Sequence, residues 1–236
     1  MHQLPDGSLA TLAALDAAAH RIVRIGLLLP WANVAVETEL PRLGLRNTVF
    51  HHTRLVPASG TTAIDTSFWH GLRAASAEAL GSLSQVELDA VLLACTSAGF
   101  TGGPHLPAGV TTAFDAVLAA LAAADVTQVV LGTPYPIDVT EAEASALAET
   151  GIEVLGHASL GQDDGYSRIT TDRVLALVEE LPQRAVDAAQ AVVLSCTGWH
   201  TLAAVTELEQ RLRTPVFSSN LAMALLAARL SSGVPA

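Results

Sequence analysis

Seven short apolar runs punctuate the chain, at 22–29, 48–55, 89–95, 127–132, 152–157, 190–196 and 214–218. Most are continuous rather than alternating, as in IVRIGLLL, DAVLLAC and QAVVLSC. Unbroken apolar strands predict a sheet covered on both faces, and hence a parallel one. Between them lie Ala-rich stretches with helical spacing, at roughly 35–44, 67–83, 110–123, 140–150, 171–181, 200–212 and 219–230. The alternation predicts an α/β fold. Residues 1–20 read as a modestly helical, Ala-rich extension. In doubly wound sheets, ligands sit beyond the carboxyl ends of the strands, where the chain enters the next helix.

Two segments fall at such strand exits and echo each other: ACTSAG (94–99) and SCTGWH (195–200). A second pair, RIGLLLPWAN (24–33) and QVVLGTPYPID (128–138), shares the order strand, proline turn, helix. These echoes predict two pseudo-symmetric Rossmann-like lobes with parallel sheets and a cleft between them. They place the division near residue 107. The expected layout is an N-terminal extension at 1–21, a first lobe at 22–106 completed by 216–236, and a second lobe at 107–215.

Composition narrows the chemistry. All twelve basic residues are arginines, so a Schiff-base lysine and a P-loop lysine are both absent. A formal charge of −11 with no basic stripe argues against nucleic acid as a partner. No apolar run approaches the ~18 residues needed to span a bilayer, so no membrane segment is expected. The opening MHQLPDGSLATL lacks a basic region followed by an apolar stretch, so a secretory signal is not expected there and a cytoplasmic location is. LLLPWAN lacks the glycines of a dinucleotide fingerprint, and the eight histidines form no ligand set; Cys196 and His200 alone do not make a metal centre. Nothing in the sequence requires a cofactor, and oligomeric state stays open, a homodimer included.

What remains is thiol and hydroxyl chemistry. Cys95 and Cys196 are the only cysteines and lie 101 residues apart. In a reducing compartment they are expected as free thiols. Two thiols entering one cleft from opposite lobes suit proton transfer or nucleophilic attack on both faces of a small substrate. A helix N-terminus directly behind each would lower the thiol pKa from its usual ~8.5. Thr96 and Ser97 follow the first cysteine, and Thr197 and Gly198 the second. Asn33 stands at the first strand's exit, where it can donate to a carboxylate or cap the following helix. Tyr135 holds the matching exit of the second lobe, with a surface turn as the alternative. Asn220 is a strand-end polar residue that can equally cap the last helix.

At these residues the chain resembles the aspartate/glutamate racemase superfamily, whose members set paired cysteines between two α/β lobes. More narrowly it is similar to the branch containing maleate cis–trans isomerases and arylmalonate decarboxylases, through IGLLLPWANVAVETELP and VVLSCTGWHTLAAVTELEQRLRTPVFSSN. The likeness spans about residues 24–230. It implies that Cys95 and Cys196 are catalytic, and that Cys95 matches a cysteine the decarboxylase replaces by glycine. It implies substrate contacts at Asn33, Tyr135 and Asn220, and an oxyanion-holding segment at Thr96 and Ser97. Three features depart from the isomerase pattern, the first being CTSAGF after the first thiol, which is more similar to the decarboxylase. Trp31 replaces a small residue, and the loop after the fifth strand carries Gln162, Asp163 and Asp164, where an acid would repel a dicarboxylate.

The activity so implied is that of a cofactor-independent isomerase of a small dicarboxylate, such as maleate to fumarate through a Cys95 adduct. A racemase, a decarboxylase using Cys196 alone and a non-catalytic carboxylate-binding protein are the alternatives. Trp31 and Trp199 suggest a pocket with room for more than maleate.

Overall fold

The computed structural model describes residues 7–57 and 63–234. Val23–Pro30 (β1) is buried at every position but Arg24, as its unbroken apolar sequence requires of a central strand. Thr48–Leu55 (β2) alternates more and lies at the sheet edge. With Ala90–Leu93 (β3) and Val110–Thr112 (β4) they form one parallel sheet, in the order β2-β1-β3-β4. The second sheet repeats that order. Gln128–Thr133 (β5), Glu153–Ser159 (β6), Ala191–Leu194 (β7) and Val216–Ser218 (β8) pair in parallel as β6-β5-β7-β8. The α/β, two-lobe architecture stands as the sequence pattern implied.

The helices fill the intervals. They are Ser8–Ala18 (α1), Ala35–Arg42 (α2), Thr66–Ser82 (α3), Ser97–Phe100 (α4), Ala113–Ala123 (α5), Ile137–Glu149 (α6), Thr171–Glu179 (α7), Gln183–Ala188 (α8), Leu202–Leu212 (α9) and Ser219–Ser232 (α10). None among the described residues is long and apolar enough to cross a membrane. Residues 1–6 of the expected N-terminal extension lie outside the described residues. The part within them is anchored: α1 packs on α10, buries Leu12, and ties Ser8 to Glu209 through its backbone N–H and its hydroxyl, each at 2.7 Å.

Strand pairing divides the lobes differently from the expected 106/107 boundary. Residues 110–112 were expected to begin a helix, yet the β-branched run Val110–Thr112 pairs with β3 and completes the first sheet. Thr112 then caps α5 through a reciprocal capping box with Asp115. Likewise β8 pairs with β7, so 216–218 complete the second sheet rather than returning to the first. Each lobe is therefore a continuous run of four strands alternating with helices, with two helices, α7 and α8, between β6 and β7. The C-terminal helix α10 does pack on first-lobe elements, chiefly α5, its own counterpart in the repeat.

In both sheets the order reverses between the first and third strands of the lobe. That switch point leaves a crevice at the carboxyl ends, into which the chain delivers its polar residues. Buried hydrogen bonds hold the two crevices against each other. Glu39, on α2, reaches the start of α9, where it accepts from the N–H groups of Thr201 (2.5 Å) and Leu202 (2.7 Å), and it accepts from the Asn220 amide at 2.8 Å. Ser219 Oγ accepts from Thr96 Oγ1 at 2.9 Å and from the Cys196 N–H at 3.1 Å, joining the two cysteine loops. Both Glu39 and Ser219 are buried.

Burying a donor without its acceptor costs about 1–3 kcal/mol. Ser219→Ala should thus lower unfolding stability by about that amount, and Glu39→Ala, which abandons several donors, by about 3 kcal/mol or more. Urea denaturation followed by circular dichroism measures both. Unchanged midpoints would deny these contacts their role in joining the lobes.

Candidate active site

Cys95 lies two residues beyond β3 and Cys196 two residues beyond β7, the equivalent exits of the two sheets. Both line one cavity of about 220 Å³ between the lobes. Of the nine residues singled out from the sequence, eight line it: Cys95, Thr96 and Ser97 from one lobe exit; Cys196, Thr197 and Gly198 from the other; and Asn33 and Tyr135 from the exits of β1 and β5. The ninth, Asn220, does not. It is fully buried below the cavity, donating to Glu39 and, at 3.4 Å, to the Thr197 carbonyl. Its part is to support the Cys196 loop, because the first turn of α10 runs beneath that loop rather than into the opening.

The threonine hydroxyls also face inward to the fold. Thr197 Oγ1 donates to the Ala94 carbonyl at 2.7 Å and accepts from Asn33 Nδ2 at 3.0 Å. Asn33 Oδ1 meanwhile accepts from the Val36 N–H at 3.3 Å, so this one side chain holds the start of α2 and bridges the lobes. Ser97 is held by Trp69, whose indole N–H donates to its hydroxyl at 3.0 Å. That hydroxyl lies 3.6 Å from Cys95 Sγ.

Each sulfur meets backbone donors. The N–H groups of Ser97 and Ala98 point at Cys95, and that of Gly198 reaches Cys196 Sγ at 3.2 Å. A Cβ at position 198 would stand 3.2 Å from the Tyr166 ring and 3.4 Å from the sulfur, so glycine keeps this approach open. Cys196 itself adopts φ +131°, a strained conformation for a non-glycine residue, costing on the order of 1–3 kcal/mol. The tight hydroxyl network around its loop imposes that bend.

The expected lowering of the thiol pKa values does not occur. Only a four-residue helical turn follows Cys95, and a bent loop rather than a helix follows Cys196, with α9 starting at Leu202. Burial dominates instead. It pushes Cys95 up, against hydrogen bonds from Ser97 and Ala98 and the charge of Arg73. It pushes Cys196 up to about 12, against the Gly198 N–H and the Tyr135 hydroxyl, and negative charge on Cys95 would push it further. Without a ligand, both thiols are therefore protonated near neutral pH.

Several residues of the site were not picked out from the sequence. Tyr166, in the 3₁₀ turn Tyr166–Arg168, forms a wall and meets Tyr135 edge-on with ring centroids 5.9 Å apart. Ile64, Phe68 and Pro30 add to the apolar lining, and Arg168 also lines the cavity, beside Asp164, the acid already marked in the sequence. Behind the Cys196 loop, Ser195 Oγ donates to Glu143 Oε1 at 2.5 Å, and burial raises that carboxyl to about 8. These residues sit in a loop, on helix faces or beneath the surface, and no local pattern marks them. Trp199 is fully buried and Trp31 lies outside the lining, so neither shapes the pocket. Among the described residues there is no group of three or more His, Cys, Asp or Glu side chains that could hold a metal ion.

Comparison with known proteins agrees with this geometry. A family model, Amdase (arylmalonate decarboxylase), matches residues 94–233. Arylmalonate decarboxylase of Bordetella bronchiseptica is 38% identical over 125 residues, 52% of this chain and 52% of that relative, so the match spans about half its length. Maleate isomerase of Nocardia farcinica is 28% identical over 224 residues, 84% of this chain and 86% of the other. A cysteine-to-serine variant of the Nocardia farcinica maleate cis–trans isomerase, solved with a covalently bound succinylcysteine intermediate, superposes with a TM-score of 0.78. It is 24% identical, and the alignment covers 91% of this chain and 94% of that one. A liganded arylmalonate decarboxylase variant gives 0.72 at 28% identity, with the same coverage. Two sheets of equal strand order, a cysteine at the same exit of each and a match over more than half its length give one conclusion: the chain belongs to the arylmalonate decarboxylase family, in the Asp/Glu racemase-like superfamily that also holds the maleate isomerases.

Proposed function

We propose that the protein is a cytoplasmic, cofactor-independent cis–trans isomerase of a small dicarboxylate, acting on maleate or a close analogue. The observation that carries this reading is the pair of thiols lining one cavity. A decarboxylase needs a single proton donor, whereas addition and protonation across a double bond need two groups.

Cys95, as thiolate, adds to one alkene carbon. The π electrons move onto the neighbouring carboxylate, giving an enediolate, whose charge Asn33 and Tyr135 are positioned to meet. Cys196 donates its proton to the adjacent carbon and becomes thiolate. Rotation about the new single bond follows. Cys196 then takes the proton back, the C–S bond breaks, and the trans product leaves with Cys95 again a thiolate. A high pKa suits Cys196 as the acid. For Cys95 it makes the reactive form scarce, and the Ser97 and Ala98 N–H groups are the stabilisers of that form.

One observation favours a second reading. The family model that matches residues 94–233 is that of arylmalonate decarboxylase, and a decarboxylation needs only one thiol, Cys196, as proton donor. A substituted malonate would then lose carbon dioxide and be protonated by Cys196.

Proton NMR in deuterated water, with maleate, amino acids and substituted malonates as separate substrates, decides between them. Fumarate formation supports the isomerase; α-deuteration of an amino acid without geometric change, or release of carbon dioxide from a malonate, replaces it. For the isomerase, Cys95→Ser should leave no detectable turnover, and Cys196→Ser should cost about 10²–10⁴-fold in kcat. A Cys95→Ser enzyme with full activity would shift the reading to decarboxylation.

The pH profile tests the protonation states. Because burial raises Cys95, its thiolate fraction grows tenfold per pH unit up to a pKa above the ordinary thiol value. Log kcat/KM should therefore climb with pH through neutrality, with a limiting slope of about 1 below the raised Cys95 pKa. The falling limb, from loss of the Cys196 proton, belongs near pH 12 and outside the working range. A flat profile across neutral pH would mean that neither thiol titrates as described.

A further inference from the structure

The substrate-facing groups at the base of the cavity are neutral or are themselves thiols, which leaves the second charge of a dianion unmatched. The counter-charge is at the cavity's rim. Arg168 is the one arginine among the residues that line the opening. It closes the 3₁₀ turn after β6 and also borders the solvent-facing hollow formed by Gln162, Asp163 and Thr170. Its guanidinium lies over Gly165: a Cβ at that position would come within 2.3 Å of Nη2, and Gly165 has φ +71°. The loop thus keeps a bare glycine beneath the guanidinium.

The guanidinium is also unspent. In a chain with formal charge −11, carboxylates outnumber cations nearly two to one, and several other arginines are held in ion pairs. Arg21 pairs with Asp89, Arg46 with Asp16, Arg54 with Glu37, Arg173 with Glu180 and Arg211 with Glu179. The Arg168 backbone N–H donates to the Gly165 carbonyl at 3.0 Å, but its guanidinium makes no ion pair or hydrogen bond with any described residue, although Asp163 and Asp164 stand five and four positions before it. A planar cation with five donors, at the lining of a cavity and without a side-chain partner among the described residues, matches a carboxylate from outside.

We propose that Arg168 anchors the distal carboxylate of the substrate and so selects dianions over monoanions. This rests on the reading of the site as one for a small carboxylate, and it adds which residue recognises the second charge. With one carboxylate held low in the cavity between the cysteine loops, the other points outward to the guanidinium. The apolar wall of Ile64, Phe68 and Tyr166 flanks the carbon chain between them. Arg168 also offsets the acid at Asp164, which taken alone would repel a dicarboxylate.

Calorimetric titration with succinate, an unreactive dicarboxylate, and with its monomethyl ester separates charge recognition from general binding. Wild-type protein should prefer succinate by about tenfold, the worth of one solvent-accessible charge-assisted contact. Arg168→Gln should lose about that factor for succinate and none for the ester, and Arg168→Lys should keep part of the preference. Equal succinate affinity in wild type and Arg168→Gln would overturn the role given to Arg168 and leave the thiol chemistry standing. Failure of wild-type protein to bind either ligand would overturn both the anchor and the carboxylate reading beneath it.

Discussion

The hydroxyl of Ser219 is the contact on which the site depends. It accepts at once from Thr96 in one cysteine loop and from the Cys196 backbone in the other. Thr197 completes the tie by donating to the carbonyl just before Cys95. Two lobes with separate sheets would otherwise be free to settle at any separation, and thiol chemistry on a few-carbon molecule tolerates little error in reach. Because these hydroxyls are buried, each broken bond strands a polar group away from water, which makes the alignment stiff. Glu39 extends the same device to the start of α9 and to Asn220. The strained backbone at Cys196 is sustained by this surrounding network.

Burial has a second consequence. The enclosure that would exclude water from an intermediate also raises the pKa of both sulfurs. A site of this kind starts with two neutral thiols, and a negative charge on either one opposes a charge on the other. That arrangement favours chemistry in which one thiol acts as an acid while its neighbour is charged. Tyr135 and the backbone N–H groups meet the sulfurs without adding full charge. Arg168, whose guanidinium has no partner among the described residues, stands apart from this neutral interior among the residues that line the cavity.

Much of this was legible in the chain. The continuous apolar runs specify strands buried on both faces, and their alternation with helices leads to the parallel two-sheet fold. The paired cysteine segments point to equivalent strand exits, and Asn33 and Tyr135 to the neighbouring ones. Other expectations failed for physical reasons. Asn220 reads as a substrate contact because strand-end amides often are, but the turn it occupies faces the partner lobe. The proposed helix dipole behind Cys196 is missing because Thr197 is bound to the other lobe and the chain must loop before α9 can begin. The short strand at 110–112 is recognisable only from its pairing partner, since three residues carry too little periodicity, and the strand read at 214–218 joins the second sheet only through its pairing with β7.

The sequence by itself determined which residues can be strands, where they end and which reactive groups stand at those ends, because hydrophobic period and strand-exit position are local properties. Tertiary structure alone decided the protonation of the thiols, the support role of Glu39 and Ser219, and the placing of the Arg168 guanidinium at the cavity without a partner among the described residues. Desolvation, cross-lobe hydrogen bonding and the lack of a counter-charge depend on residues far apart in the chain, and nothing within a short window records them.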